Sequence, residues 1–199
     1  MRLQGEGLTL ERGGRVIFGD LSFAAEAGEL VLLQGPNGSG KTSLLKLIAG
    51  LLRPVHGEIT LSGGISGLAT GQQAHLIGHG LALRSGLTVE ENLAFWTFFL
   101  GGGDVARGLE AFGLDQLAHL PAGVLSAGQQ RRLSLARLAA VGRPIWLLDE
   151  PSVGLDRMSL KQLNFQMGNH LSAGGIIIAA SHGDFDITCT HRIELGDAS

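Results

Sequence analysis

Apolar and polar positions alternate over residues 2–10, at Leu8 and Leu10, and again over residues 15–25, at Val16, Phe18, Leu21 and Phe23, with Gly13-Gly14 between them. A period of two on either side of a glycine pair predicts two antiparallel strands. Residues 30–34, 144–148 and 176–181 instead predict strands buried on both faces, each built on a short continuous apolar run. Residues 58–63 and 76–78 predict two more short strands, and 191–197 a last antiparallel one. Helical spacing governs the rest. Residues 43–52 carry leucines and an isoleucine at intervals of three and four, 105–112 predicts a short helix, and Leu160, Leu163, Met167 and Leu171 share one face before Gly174-Gly175. Two helices announce their starts with S/T-x-x-E/Q capping boxes, Thr88 with Glu91 and Ser126 with Gln129, and should run over 89–100 and to about 141. In the first of these, Leu93, Phe95, Trp96, Phe98, Phe99 and Leu100 cover more than one face. Such crowding fits a core helix or a partner groove, and its excess points to the groove. Strands alternating with helices predict an α/β fold.

Between the run at 30–33 and the helix at 43–52 lies Gly35-Pro36-Asn37-Gly38-Ser39-Gly40-Lys41-Thr42. Strand, glycine-rich turn and helix in that order are the context in which G-x-x-x-x-G-K-[ST] binds phosphate. The glycines let successive N–H groups converge on phosphate oxygens, and Lys41 reaches the β- and γ-phosphates. Thr42 can ligate Mg²⁺, with Ser43 a weaker polar neighbour. A turn needed only for close packing would give the lysine no reason to be there. The run at 144–148 ends in Asp149-Glu150-Pro151, two carboxylates at a strand end where open α/β sheets bind ligands. Asp149 could hold Mg²⁺ through water and Glu150 could polarise a water attacking the γ-phosphate; the competing reading is a solvated strand end. The run at 176–181 delivers His182 to the same edge, where it would contact the γ-phosphate or that water. His56, His75, His119, His170 and His191 lack metal-ligand spacing and read as solvated.

Composition narrows the picture. The 199 residues are 44% hydrophobic, enough for one substantial core, and the net charge of −3 offers no basic field for nucleic acid. Cys189 is the only cysteine, so no internal disulfide is possible. No run of about 18 apolar residues could span a bilayer, and the expected location is cytosolic or peripheral through a partner.

Taken together and in order, these pieces resemble the ATP-binding cassette of ABC transporters along essentially the whole chain. Residues 35–42 are similar to the Walker A motif, 145–149 to Walker B, and Glu150 to the catalytic glutamate. Leu125-Ser126-Ala127-Gly128-Gln129 resembles the LSGGQ signature with one alanine, Val153-Gly154-Leu155-Asp156 the D-loop, and His182 the switch histidine. The resemblance implies one cassette over 1–199, with a mixed central sheet, an antiparallel β-subdomain and a small helical subdomain over about 88–140. It implies ATP and Mg²⁺ as cofactors, with Thr42 and Asp149 on the metal and Lys41, Glu150 and His182 in catalysis. It also implies a head-to-tail homodimer, in which Ser126, Gly128 and Gln129 of one copy cover the ATP held at residues 35–43 of the other. Closure and opening of that pair would drive integral membrane subunits docked on residues 89–100, Trp96 and Phe99 among them.

Two positions depart from the pattern. The glutamine that precedes the helix at 89 in this family is absent; His79 and Gly80 stand nearest, and Gln72 and Gln73 come too early. The aromatic residue that stacks on adenine is also absent, leaving Arg12 or nearby Phe18 for that contact. Ile77-Gly78-His79 and residues 87–96 resemble the ATP-binding subunits of bacterial haem exporters that serve cytochrome c maturation. That resemblance implies a peripheral protein on the cytoplasmic face of the inner membrane. Two other classes stay in view: a soluble cassette ATPase acting on nucleic acid or the ribosome, and a nucleotide-gated assembly module with little turnover. The first usually carries two cassettes or long coiled coils, which this chain lacks.

Overall fold

The computed structural model describes residues 1–181 and 185–196. Its strands fall into two sheets that keep the two hydrophobic patterns apart. The alternating segments β1 (Arg2–Arg12) and β2 (Arg15–Glu26) pair antiparallel, and β4 (His56–Ser62) joins the other side of β1. The continuous apolar runs β3 (Leu30–Gln34), β6 (Ile145–Asp149) and β7 (Ile176–Ala180) lie inside a five-stranded parallel sheet with β5 (Ala74–Ile77) and β8 (His191–Glu194), in the order β5-β6-β7-β3-β8. They are continuous because both faces are covered. Leu30, Leu32, Trp146, Leu148, Ile177 and Ala179 enter one core, while Val31, Leu33, Ile145, Leu147, Ile176 and Ile178 enter the other. Each such aliphatic side chain contributes roughly 1.5–3 kcal/mol by leaving water.

Helices α1 (Lys41–Ile48) and α5 (Arg157–Ser172) flank the parallel sheet, and α2 (Val89–Phe99), α3 (Val105–Ala111) and α4 (Ala127–Ala140) pack on one another. Both capping boxes form as the spacing predicts. Thr88 Oγ1 accepts from Glu91 N at 3.1 Å and Glu91 returns a contact to Thr88 N at 2.8 Å; Ser126 Oγ accepts from Gln129 N at 3.3 Å. Helix α1 stops at Ile48, short of the expected 52. Gly50, at φ 73°, closes its end, with Gly50 N on Leu47 O and Leu51 N on Lys46 O.

Three expectations are corrected. The last strand, β8 (His191–Glu194), runs parallel to β3, not antiparallel. Thr190 N donates to Leu30 O at 2.9 Å, so the chain enters β8 beside the start of β3 and runs in the same direction. His75 is buried, 3% exposed, with Nε2 donating to Val141 O at 2.9 Å. Half-buried His170 stacks on Trp146 with ring centroids 4.0 Å apart, and neither histidine is solvated. Arg131 and Arg137 of α4 are buried as well, at 6% and 4% exposed.

Burial pushes the His75 pKa down to about 4, and the nearby Arg137 and Arg143 charges act in the same direction against the Val141 hydrogen bond. Folding thus excludes a proton that the unfolded chain takes up near pH 6.5. The associated stability is present in full above about 6.5 and is lost as the pH falls from there to about 4. Thermal unfolding between pH 7 and 4 should show this loss, on the order of 3 kcal/mol for His75 alone, and His75→Gln should flatten the curve.

Candidate nucleotide-binding site

The loop at 35–40 turns from β3 into α1 through three glycines, and at two of them a side chain would also collide with its surroundings. Gly35 sits at φ 140°, and a Cβ there would lie 2.1 Å from Leu195 O; one on Gly40, at φ 101°, would lie 2.7 Å from Ile17 Cγ2 and 3.0 Å from Phe18 Cδ1. No side chain caps α1 and its first turn holds no acidic residue, which leaves its N–H groups and positive dipole end for an anion. Lys41 Nζ folds back over the loop, donating to Gly35 O at 2.6 Å and Pro36 O at 2.9 Å. Ser39 Oγ is buried with no hydrogen-bond partner among the described residues.

At the carboxyl end of β6, Asp149 is 4% exposed and accepts from Thr42 Oγ1 at 2.9 Å. Two oxygen ligands thus meet across the sheet edge, the donor set a hard divalent cation prefers. Glu150 follows in a left-handed backbone conformation, φ 48°, with its N–H on Ala180 O at 2.8 Å. These residues share a cleft of about 330 Å³ with Arg12, Ile17, Asn37, Gly38, Gly40, Lys41, Ser43 and His79. The spacing therefore brings the loop, Thr42, Asp149 and Glu150 together.

Other expected residues lie elsewhere. Phe18, 6% exposed, packs under Gly40 and leaves Arg12 and Ile17 as the cleft's outer wall. His182 lies outside the described residues. Ser126, Gly128 and Gln129 do not line the cleft of their own chain. Ser126 is exposed at the start of α4, and Gly128 approaches Gly154, where an added Cβ would sit 3.3 Å from its carbonyl oxygen. Gln73 is not a ligand: it is buried and accepts from Ile65 N at 2.6 Å, holding its own loop.

His79 lines a second cavity as well, a groove of about 520 Å³ between the α1–β5 side and α2, with Lys46, Leu51, Trp96, Phe99 and Arg137 in its wall. Arg137 stacks its guanidinium 4.3 Å over the Trp96 ring and bonds Ser134 O at 2.9 Å. Burial lowers its pKa to about 10. Phe95, Phe98 and Phe99 are 43%, 86% and 66% exposed, so the aromatic excess of α2 is surface, not core. Arg131 and Arg137 were invisible as buried groups in the sequence, because their helix reads as an ordinary capped one.

The fold and the cleft define a phosphate-loop ATPase of the cassette type, and a family model described as ABC transporter matches residues 18–153. The chain belongs to the ABC transporter family. It is 52% identical over 201 residues to the cytochrome c biogenesis ATP-binding export protein CcmA of Nitrobacter winogradskyi, covering 100% of both chains. It is 46% identical over 199 residues to the protein of that name from Chelativorans, covering 98% of each. Among solved structures, a putative ABC transporter ATP-binding protein from Pyrococcus furiosus superposes with a TM-score of 0.82 at 25% identity, over 98% of both chains. An ATP-binding subunit of an ABC transporter gives 0.80 at 25% identity, over 92% of this chain and 80% of the other.

Replacing Gly40 with Ala should weaken nucleotide binding at least tenfold, because the new methyl group must displace Ile17 or distort the loop. Titration with a fluorescent ATP analogue measures this.

Proposed function

We propose that this chain is the ATP-hydrolysing subunit of a haem-handling exporter in cytochrome c biogenesis, acting as one cassette over 1–199 with 88–140 as its helical subdomain. The observation that carries the reading is the meeting of Thr42, Asp149, Glu150 and the 35–42 loop around one cleft. Relatives named as cytochrome c biogenesis export proteins supply the process.

In this reading the loop N–H groups and the α1 N-terminus hold the β- and γ-phosphates, and Lys41 exchanges its two carbonyl contacts for phosphate oxygens. Arg12 lies over the base. Thr42 and Asp149 would hold Mg²⁺, which offsets phosphate charge when bound. Glu150 accepts a proton from the attacking water, so that the O–γP bond forms as the bond to the β-phosphate oxygen breaks and ADP leaves. His182, outside the described residues, keeps the γ-phosphate role that the resemblance to the switch histidine implies.

The exposed Ser126 turn and Gly128 and Gln129 complete the cleft of a second copy, since they do not reach their own. A capped helix start facing the γ-phosphate is a ready anion site, and ATP then acts as an adhesive that hydrolysis removes. Integral membrane subunits dock on α2 and its groove, which places the protein peripherally at the cytoplasmic face of the inner membrane. None of the described helices is long and apolar enough to cross a membrane.

Steady-state ATPase assays should show Glu150→Gln reducing kcat on the order of 10³-fold with ATP binding kept, and Lys41→Ala losing both. A Glu150→Gln protein working at the wild-type rate contradicts the assignment of the base, and a wild-type protein that binds ATP with little turnover leaves the assembly-module reading. Converting Trp96 and Phe99 together to Ala should abolish copurification of the membrane subunits while leaving ATP binding intact; unchanged copurification removes α2 as the docking site.

A further inference from the structure

Arg131 does not line the nucleotide cleft, yet it is bonded to the backbone of residues that do. From α4 its guanidinium donates to four carbonyl oxygens: Nε to Pro151 at 3.3 Å, Nη1 to Gly78 at 2.9 Å, and Nη2 to Glu150 at 2.7 Å and Asp149 at 3.4 Å. Three of these are consecutive, from the last residue of β6 into the turn after it, and the fourth lies just after β5. Burial lowers the Arg131 pKa, opposed by the charges of Asp149 and Glu150 beside it.

The turn needs such a clamp. Glu150 is one of three non-glycine residues with positive φ among those described, at 48°. A left-handed conformation is strained for an ordinary L-residue and persists only where its surroundings over-determine it. Here the N–H is fixed on Ala180 O at 2.8 Å and the C=O on Arg131 Nη2 at 2.7 Å, so the peptide groups on both sides of the Glu150 Cα are pinned. A lysine could not repeat this, because one ammonium cannot span carbonyls spread over two segments, whereas a planar guanidinium fork can.

We propose that Arg131 is the positioning residue for Glu150: by holding its left-handed backbone to the signature helix, it keeps the carboxylate aimed at the cleft. This rests on the reading of Glu150 as the group that faces the attacking water. The bond to Gly78 O brings the clamp next to His79, which lines both the cleft and the α2 groove. One buried cation thus joins the wall shared by the two cavities to the hydrolytic turn.

The test uses the protein with its copurified membrane subunits and compares wild type, Arg131→Met, Arg131→Lys and Glu150→Gln by steady-state ATPase kinetics and by binding of a fluorescent ATP analogue. Arg131→Met should lower kcat on the order of 10²-fold while the KM and binding of ATP change no more than about twofold, and Arg131→Lys should recover part of the rate. Wild-type kcat in Arg131→Met, or loss of ATP binding in step with kcat in Arg131→Lys, overturns the proposal. If Arg131→Met does not fold, Arg131→Lys decides: a reduced kcat with unchanged ATP binding supports the clamp, and an unchanged kcat overturns it. Full activity in Glu150→Gln overturns the base assignment and the clamp together, whereas an inactive Glu150→Gln beside a fully active Arg131→Met overturns the clamp alone.

Discussion

A parallel sheet covered on both faces leaves its carboxyl edge as the place where charged groups can meet water, and this constraint organises the molecule. The runs β3, β6 and β7 are buried almost throughout, split residue by residue between two cores. Asp149 can lie at the end of such a run only because Thr42 satisfies it from the neighbouring helix. The phosphate loop, the carboxylates and the Gly78–His79 turn share one edge because their strands run in the same direction.

The same edge joins the cleft to the groove beside α2. The antiparallel sheet closes one side of the cleft, with Phe18 and Ile17 packed against Gly40. On the other side β5 ends between the cleft and the groove beneath α2, so His79 belongs to both. Buried cations tie this region together: Arg131 to the turns after β5 and β6, and Arg137 to Trp96. Each is desolvated, and each gains its partners from carbonyl oxygens or an aromatic face in place of a carboxylate.

Local physics was legible in the sequence; long-range pairing was not. Period-two alternation, continuous apolar runs and the two capping boxes placed nearly every element, because each is decided within a few residues. The direction of β8 was not legible, since it depends on where Thr190 meets Leu30. His75 and His170 read as solvated because burial is a property of the packed sheet and of Trp146, not of their neighbours in sequence. At the site, residues 35–42 and Asp149-Glu150 were plain from motif and strand context. Arg131 was hidden because its partners are backbone carbonyls, which carry no sequence signal.

One cleft within one chain holds the phosphate loop and both carboxylates but not the capped turn at Ser126, and the account therefore turns on a second copy completing the site. The most direct measurement is the solution mass, by light scattering after gel filtration, of Glu150→Gln protein saturated with ATP. Twice the monomer mass with ATP, returning to one monomer when the nucleotide is removed, is the result predicted. A strictly monomeric protein under saturating ATP, alone and beside its membrane subunits, would contradict it.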